Sequence, residues 1–455
     1  MSKNTEIHLH NTLSGKKELF TPLRKGAVSM YHCGPTVYDT VHIGNLRSFL
    51  LGDILRRVFE FNSYNVTQVM NITDIDDKTI RRSIAEEMTL KDLTRKYEEQ
   101  FLADIKAMNI QLPHKMPRAT GNIENIIKLI VILLERGVAY KSRDGVYMSI
   151  GMVKNYGALA HINLKGETHE RIENDEYEKE NPRDFALWKF HSDADGANSW
   201  DASFGKGRPG WHIECSAMAM DTLGETIDIH TGGTDLIFPH HTNEIAQSES
   251  ATGKQFVNYW LHGAFMNVED AKMSKSKGNF LKLADLLHEN VSPLAFRYWL
   301  MTAHYRTQVN FTWEALKAAQ TALFRLIEHY IELGDEAGKV NAEYLDRFTA
   351  NANDDLDMPK AVSLVWELLK DAAVPAGDKR VTLLEFDRIL GLNLKNVSSS
   401  VAKVEIPPEV TALAEAREEA RKNKEWDKAD ALRKEIEERG YSIKDTEKGF
   451  EVREG

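Results

Sequence analysis

Between Ala27 and Ile72 the chain reads as strand, turn, helix and strand, and this order constrains its fold more than any other feature. The apolar-rich stretch Ala27 to Tyr31 reads as a buried strand that runs into the turn Cys33-Gly34-Pro35. From Asn45 to Glu60, the residues Leu46, Phe49, Leu50, Ile54, Leu55 and Val58 recur at the spacing of one helix face. Val66 to Ile72 reads as a second buried strand, ending in the acidic turn Asp74-Ile75-Asp76-Asp77. Two strands joined by a crossover helix lie parallel, so the chain opens an α/β fold on a parallel sheet. Such sheets bind ligands beyond the carboxyl ends of their strands. His42 and Thr73 fall at such ends.

At 455 residues the chain is too long for one core, and its pattern suggests several units. The α/β unit is expected over 1–114 and again over 206–291, split by an insertion at 115–205. Within the insertion, Ile123 to Arg136 is helical, Gly145 to Ile150 is strand-like, and Lys165 to Arg183 is charged. Ile227 to Ile229 returns as a short strand before Thr231-Gly232-Gly233-Thr234-Asp235. A helical region follows over 292–396, where Leu316, Ala319, Leu323, Leu326, Ile327, Tyr330 and Leu333 share one face and Gly334 stops the helix. A serine- and proline-bearing linker is expected at 397–409 and a small α+β unit at 410–455. In that last unit, Val410 to Arg439 alternates charge with sparse apolar residues, which reads as a solvated coiled segment or an RNA-contacting module, composition alone favouring the first. Tyr441 to Val452 then reads as a hairpin turning at Glu447-Lys448-Gly449.

The net charge of −11 argues against a general nucleic-acid binder, though it leaves room for a local basic groove. The longest apolar run, Ile126 to Leu134, is broken by Lys128 and too short to cross a bilayer. Met1 to Lys17 is polar and lacks the apolar core of a secretory signal, so a cytoplasmic location with no membrane contact is expected. The two cysteines, Cys33 and Cys215, are expected to stay reduced there.

Two motifs carry phosphate chemistry. His42-Ile43-Gly44-Asn45 sits where a strand end gives way to a helix, and a helix N-terminus attracts anions. Lys272-Met273-Ser274-Lys275-Ser276, followed by Gly278, offers ammonium and hydroxyl groups to a triphosphate. A third group suggests a metal. His240 and Glu244 stand at i and i+4, with His241 and Glu244 at i and i+3 as the competing pair. Adding Cys33 and Cys215 gives two thiolates, an imidazole and a carboxylate, a set that suits Zn2+.

The order of segments resembles one family. Tyr31-His32-Cys33-Gly34-Pro35-Thr36-Val37-Tyr38-Asp39 leads into the first motif, and Asn71-Ile72-Thr73-Asp74-Ile75-Asp76-Asp77-Lys78 follows. Then come Asp184-Phe185-Ala186-Leu187-Trp188-Lys189, Gly207-Arg208-Pro209-Gly210-Trp211-His212-Ile213-Glu214-Cys215-Ser216, the two-histidine segment and the lysine–serine loop. In that order they look like the cysteinyl-tRNA synthetases of class I, and Trp426-Asp427-Lys428-Ala429-Asp430 near the end is similar to that family's last domain. The resemblance implies a Rossmann-type catalytic domain with a connective insertion, a helical tRNA-binding domain and a small anticodon-binding domain. It implies activation of L-cysteine by ATP with Mg2+, transfer to tRNA-Cys, and a monomeric enzyme. It places Cys33, Cys215, His240 and Glu244 as zinc ligands, Thr73, Trp211 and Asp235 around the amino acid, and His42, Gly44, Asn45, Lys272 and Lys275 at ATP. A pocket that reads shape alone rejects a near-isostere only about 10²-fold, so thiolate coordination to zinc is the expected means of telling cysteine from serine. Asn45 replaces the histidine of many class I enzymes, and Thr242 replaces a common acidic residue.

Overall fold

The structure is a computed structural model that describes residues 6–162, 184–269, 271–272, 280–397, 408–446 and 449–454. Its central sheet has four strands in the spatial order Val257–Gly263, Ile227–Gly233, Ala27–His32 and Asn65–Met70. All neighbours are parallel, and Met30 pairs with Gln68 on one side and Ile229 on the other. The strand expected over Ile227 to Ile229 is seven residues long and carries on through Gly233. It is almost continuously buried, because both faces of a parallel sheet are covered.

The chain leaves Ala27–His32 for one flank of the sheet and later fills the other. The strand order therefore reverses between Ala27–His32 and Ile227–Gly233, and a crevice opens at their carboxyl ends. Cys33 and Asp235 follow the two strands that border it.

The helix Ile43–Phe61 crosses between the first two strands of the sheet. The insertion forms its own antiparallel sheet from Ala139–Lys141, Gly145–Met148, Phe185–Phe190 and Gly207–Pro209. This sheet thus runs past residue 205. It shares a separate core with the helix Ile123–Glu135, around Ile126, Leu133, Val146, Leu187 and Trp188. Ion pairs fasten it to the catalytic unit: Asp77 meets Lys189 at 2.7 Å and also Arg208, which holds Asp195 at 2.6 Å. The charged stretch Lys165 to Arg183 falls wholly outside the described residues, as does most of the linker.

The helices from Pro293–Met301 to Ala376–Leu390 share one core with the sheet region, in which Leu55, Phe296, Leu326, Phe348 and Phe386 all take part. A buried joint crosses it. Asp53 Oδ2 accepts from Arg297 at 2.7 Å and from Arg57 at 2.9 Å, while Asp53 Oδ1 accepts from the Gln111 N–H at 2.9 Å. Burial alone would raise the Asp53 carboxyl, but the two guanidinium groups outweigh it and hold it below its usual range. Near the C-terminus, Pro408–Lys422 and Trp426–Glu438 are two packed helices, not one solvated coil. With the hairpin Tyr441–Thr446 and Gly449–Glu454 they close on Val410, Ala414, Ile436 and Ile443.

Removing the acid of the joint leaves two buried cations uncompensated. Asp53→Ala should cost about 3–5 kcal/mol, read as a lower urea midpoint. Lys17→Ala breaks a half-exposed pair with Asp354 (2.5 Å) and should cost at most about 1 kcal/mol in the same assay.

Candidate active site and metal cluster

A cleft of about 400 Å3 opens at the crevice. Cys33, Gly34 and Thr36 line one side, His42, Gly44 and Asn45 another, and Trp211, Gly233 and Asp235 a third. His42 is the N-cap of the helix Ile43–Phe61. Its Nδ1 accepts from the Asn45 N–H at 3.2 Å, and Asn45 Oδ1 accepts from the His42 N–H at 3.2 Å. Asn45 thus completes a reciprocal capping box, a place more often filled by Glu or Gln. Because Nδ1 accepts, the neutral ring carries its proton on Nε2 and presents a donor there.

The lysine–serine loop is anchored at both ends. Lys272 closes the short strand Ala271–Lys272, which pairs with Met266–Val268. After the loop, the Leu281 carbonyl accepts from the Ile43 N–H at 2.9 Å, and Phe280 meets the His42 ring edge-on with centroids 4.9 Å apart. After the loop the chain therefore returns beside the helix cap. Lys275 itself lies outside the described residues.

Cys33 follows a sheet strand, Cys215 lies on the helix Trp211–Leu223, and Glu244 on the helix Thr242–Thr252. His240 sits on the wide turn Ile237–His241, which is broken by extended backbone at Phe238 and not a continuous helix. The i, i+4 pair still meets. His240 Nε2 is 3.1 Å from Glu244 Oε1, which is 3.6 Å from Cys33 Sγ, and Cys33 Sγ is 3.9 Å from Cys215 Sγ. All four side chains are buried. An ion bonded to sulfur at ~2.3 Å and to nitrogen or oxygen at ~2.0 Å spaces its donors roughly 3.3–3.8 Å apart. The tetrad fits one such ion.

A second set overlaps it: Cys33, His230, His241 and Glu244. His230 Nε2 lies 3.0 Å from Glu244 Oε2 and its ring stacks on Trp260 at 4.7 Å. His241 Nε2 is 3.4 Å from Cys33 Sγ, and its Nδ1 is 2.7 Å from His262 Nε2. Sequence reasoning passed over His230 because it falls between the short strand read over Ile227 to Ile229 and the motif that begins at Thr231.

The cluster's charges balance internally. Burial pulls His240 down, but Cys215 and Glu244 outweigh it and lift the imidazole to about 10. Burial raises Glu244, and His230 and His240 overcome it, so the carboxyl falls to about 2. The Cys215 thiol drops to about 6, chiefly through its hydrogen bond with Cys33, while burial pushes Cys33 well up. Bare thiolate and carboxylate donors of this kind suit a bound cation.

Trp211 is 38% exposed at the cleft and packs on His240 with centroids 4.3 Å apart. Asp235 lines the cleft. Thr73 lies one layer deeper, bridged to Thr36 through the backbone. Its hydroxyl donates to Glu214 Oε2 at 3.2 Å and accepts from Asn71 Nδ2 at 3.1 Å, and Asn71 Oδ1 accepts from the Gly34 N–H at 2.9 Å. Burial pushes the Glu214 carboxyl well up. This relay joins the turn after Cys33 to the residue before Cys215.

Comparison with known proteins agrees with this geometry. Residues 19–321 match the family model for the catalytic domain of tRNA synthetases class I (C), and residues 403–453 match the cysteinyl-tRNA ligase anticodon binding domain. The chain belongs to the cysteinyl-tRNA synthetase family. The cysteine–tRNA ligase of Protochlamydia amoebophila is 40% identical over 474 residues, covering 99% of this chain and 98% of its own. That of Chlamydia pneumoniae is 43% identical over 470 residues, covering 98% of both. Two solved structures share the class I synthetase fold. Mycobacterium tuberculosis methionyl-tRNA synthetase bearing methionyl-adenylate has a TM-score of 0.57 at 13% identity, over 81% of this chain and 90% of its own. An Agrobacterium radiobacter LeuRS complex with tRNA has a TM-score of 0.60 at 9% identity, over 84% and 87%. Among the described residues, no helix of this synthetase is long and apolar enough to cross a membrane.

A side chain at Gly34 would overlap the Asn71 carbonyl oxygen, so this turn takes only glycine. Gly34→Ala should displace Cys33. A packing cost of ~1–3 kcal/mol makes its thiol react with a disulfide reagent about tenfold faster or more, as measured on the metal-free protein.

Proposed function

We propose that the chain is a cysteine–tRNA ligase that activates L-cysteine with ATP and passes the cysteinyl group from the adenylate to the 3′ end of tRNA-Cys. The observation that carries this reading is one cleft lined both by a capped helix N-terminus and by Cys33, through which it borders a buried thiol, imidazole and carboxylate tetrad. In the first step a carboxylate oxygen of cysteine bonds to the α-phosphorus of ATP, and the bond to the departing pyrophosphate breaks. No protein nucleophile is needed, and positioning and charge neutralisation supply the catalysis.

His42, with Nε2–H as donor, and the Gly44-Asn45 turn hold the phosphates at the positive end of the helix dipole. Lys275 stabilises the charge that grows on pyrophosphate, and Lys272 secures the base of the loop. Mg2+ accompanies ATP as its counter-ion. Asp235 pairs with the amino acid's ammonium group, Trp211 packs against its backbone, and Thr73 holds that side of the pocket in place through Asn71 and Glu214.

Cys33, Cys215, His240 and Glu244 hold the zinc. This set is favoured over the second because it brings in the second thiol, Cys215, 3.9 Å from Cys33, and because the family resemblance points to these four residues. When bound, zinc supplies a soft Lewis acid that takes a thiolate far better than a hydroxyl, the chemistry by which cysteine is chosen over serine. The C-terminal unit, with its two helices and hairpin, reads the anticodon. The enzyme works as a monomer in the cytoplasm.

Cysteine-dependent ATP–pyrophosphate exchange tests the reading, with serine as competitor, before and after zinc chelation. Strong exchange with cysteine, none with serine and loss on chelation are expected, followed by charging of tRNA-Cys. No exchange in the metal-replete protein would overturn the ligase reading, and exchange that survives full zinc removal would overturn zinc-based selection. Lys275→Ala should lower kcat for exchange about 10²–10³-fold with little change in KM for cysteine, because its partner charge develops only as pyrophosphate leaves.

A further inference from the structure

The helix Trp211–Leu223 begins with two aromatic side chains, and both lie against His240. Trp211 packs on the His240 ring with planes tilted by 34°. His212 reaches it edgewise, with its Nδ1 2.9 Å from His240 Nδ1. Two facing nitrogens make a hydrogen bond only if one carries the proton and the other is bare. His240 turns its Nε2 toward the tetrad, 3.1 Å from Glu244 Oε1. That nitrogen must be bare to hold a cation, so the proton of His240 belongs on Nδ1. His212 then accepts through its own Nδ1 and keeps its proton on Nε2.

The Trp211 stack cannot do this job alone. A flat contact limits the tilt of the His240 ring but permits a half-turn about its Cβ–Cγ bond, which would exchange nitrogens for carbons. A hydrogen bond to Nδ1 forbids that turn. His212 is itself well held. Gln247 Nε2 donates to its carbonyl at 3.0 Å, and Phe185 meets its ring edge-on at 5.5 Å. Gly210, just before the helix, sits so close to Phe185–Phe190 that any side chain there would overlap the Ala186 carbonyl.

We infer that His212 is a positioning residue for the metal site, accepting the Nδ1 proton of His240 and so aiming His240 Nε2 at the cation. The inference rests on the zinc reading above. Outer partners of this kind are typically worth 10–100-fold in metal affinity.

The test uses the full chain with His212→Phe, which keeps a ring but offers no acceptor, and His212→Asn, whose amide oxygen falls close to the place of Nδ1. Zinc affinity is read by competition with a chromophoric chelator, and ligand geometry by the absorption of the Co2+-loaded protein. His212→Phe should bind zinc about 10–100-fold more weakly and shift the cobalt bands. His212→Asn should stay within about threefold of the parent and keep its spectrum, since the acceptor is restored. Parent-like affinity in His212→Phe, or an equal loss in both variants, would overturn the inference while leaving the zinc site intact. If the parent binds no zinc at all, the zinc reading falls and this inference falls with it. Should His212→Phe fail to fold, His212→Ala takes its place under the same criteria.

Discussion

Four ionisable side chains share one buried site, and the rest of the architecture is arranged to make that tolerable. A lone thiolate or carboxylate out of water would be costly, and each survives because another group of the cluster answers its charge. Cys33 and the pair His240 and Glu244 lie more than two hundred positions apart in the chain, so no local structure could bring them together. The reversal of strand order does it. One strand delivers Cys33 and its neighbour runs on to Asp235, so the cluster forms on the floor of the crevice that the sheet opens. The insertion must return to this point as well, since its last strand feeds directly into the helix that carries Cys215.

The helix Ile43–Phe61 links the cleft to the helical region. Its first turn is the capping box of His42 and Asn45, and its third holds Asp53 between Arg297 and Arg57. Between them, Arg47 donates to the carbonyls of Ala264 at 2.9 Å, Phe265 at 2.7 Å and Thr307 at 2.5 Å. The wall of the cleft beyond the strand Val257–Gly263 is therefore gripped by the same helix that bears the His42–Asn45 capping box. A buried ion pair is poor evidence for added stability in itself. Here it fixes where one end of a helix stands relative to the helices of another region.

Local periodicity made much of the fold readable. The crossover helix, its flanking strands and the buried face from Leu316 to Tyr330 all follow from the spacing of apolar residues. Contacts between distant segments leave no such trace. Cys33 could be joined to Cys215, His240 and Glu244 only through the family resemblance, because no spacing rule spans that gap. The i, i+4 spacing brought His240 to Glu244, yet the backbone there is a wide turn and only then a helix. His230 was invisible because it fell between the strand read over Ile227 to Ile229 and the motif that begins at Thr231. Thr73 was legible as a strand end, whereas the direction of its hydroxyl, toward Glu214 and Asn71, depends on packing that a sequence does not display. The charged run after Val410 misled for the opposite reason: its apolar positions are few, and only the fold shows that they meet around Ile436.

Four of the first five residues of the helix Trp211–Leu223 carry separate duties. Trp211 faces the cleft, His212 faces His240, Glu214 receives Thr73, and Cys215 turns to Cys33. An α-helix advances about 100° per residue. A single inserted or deleted residue in this stretch would swing every later side chain by that angle and misdirect them together. Among natural relatives, then, this stretch should keep its length, and changes of length should collect instead in the turns of the preceding sheet.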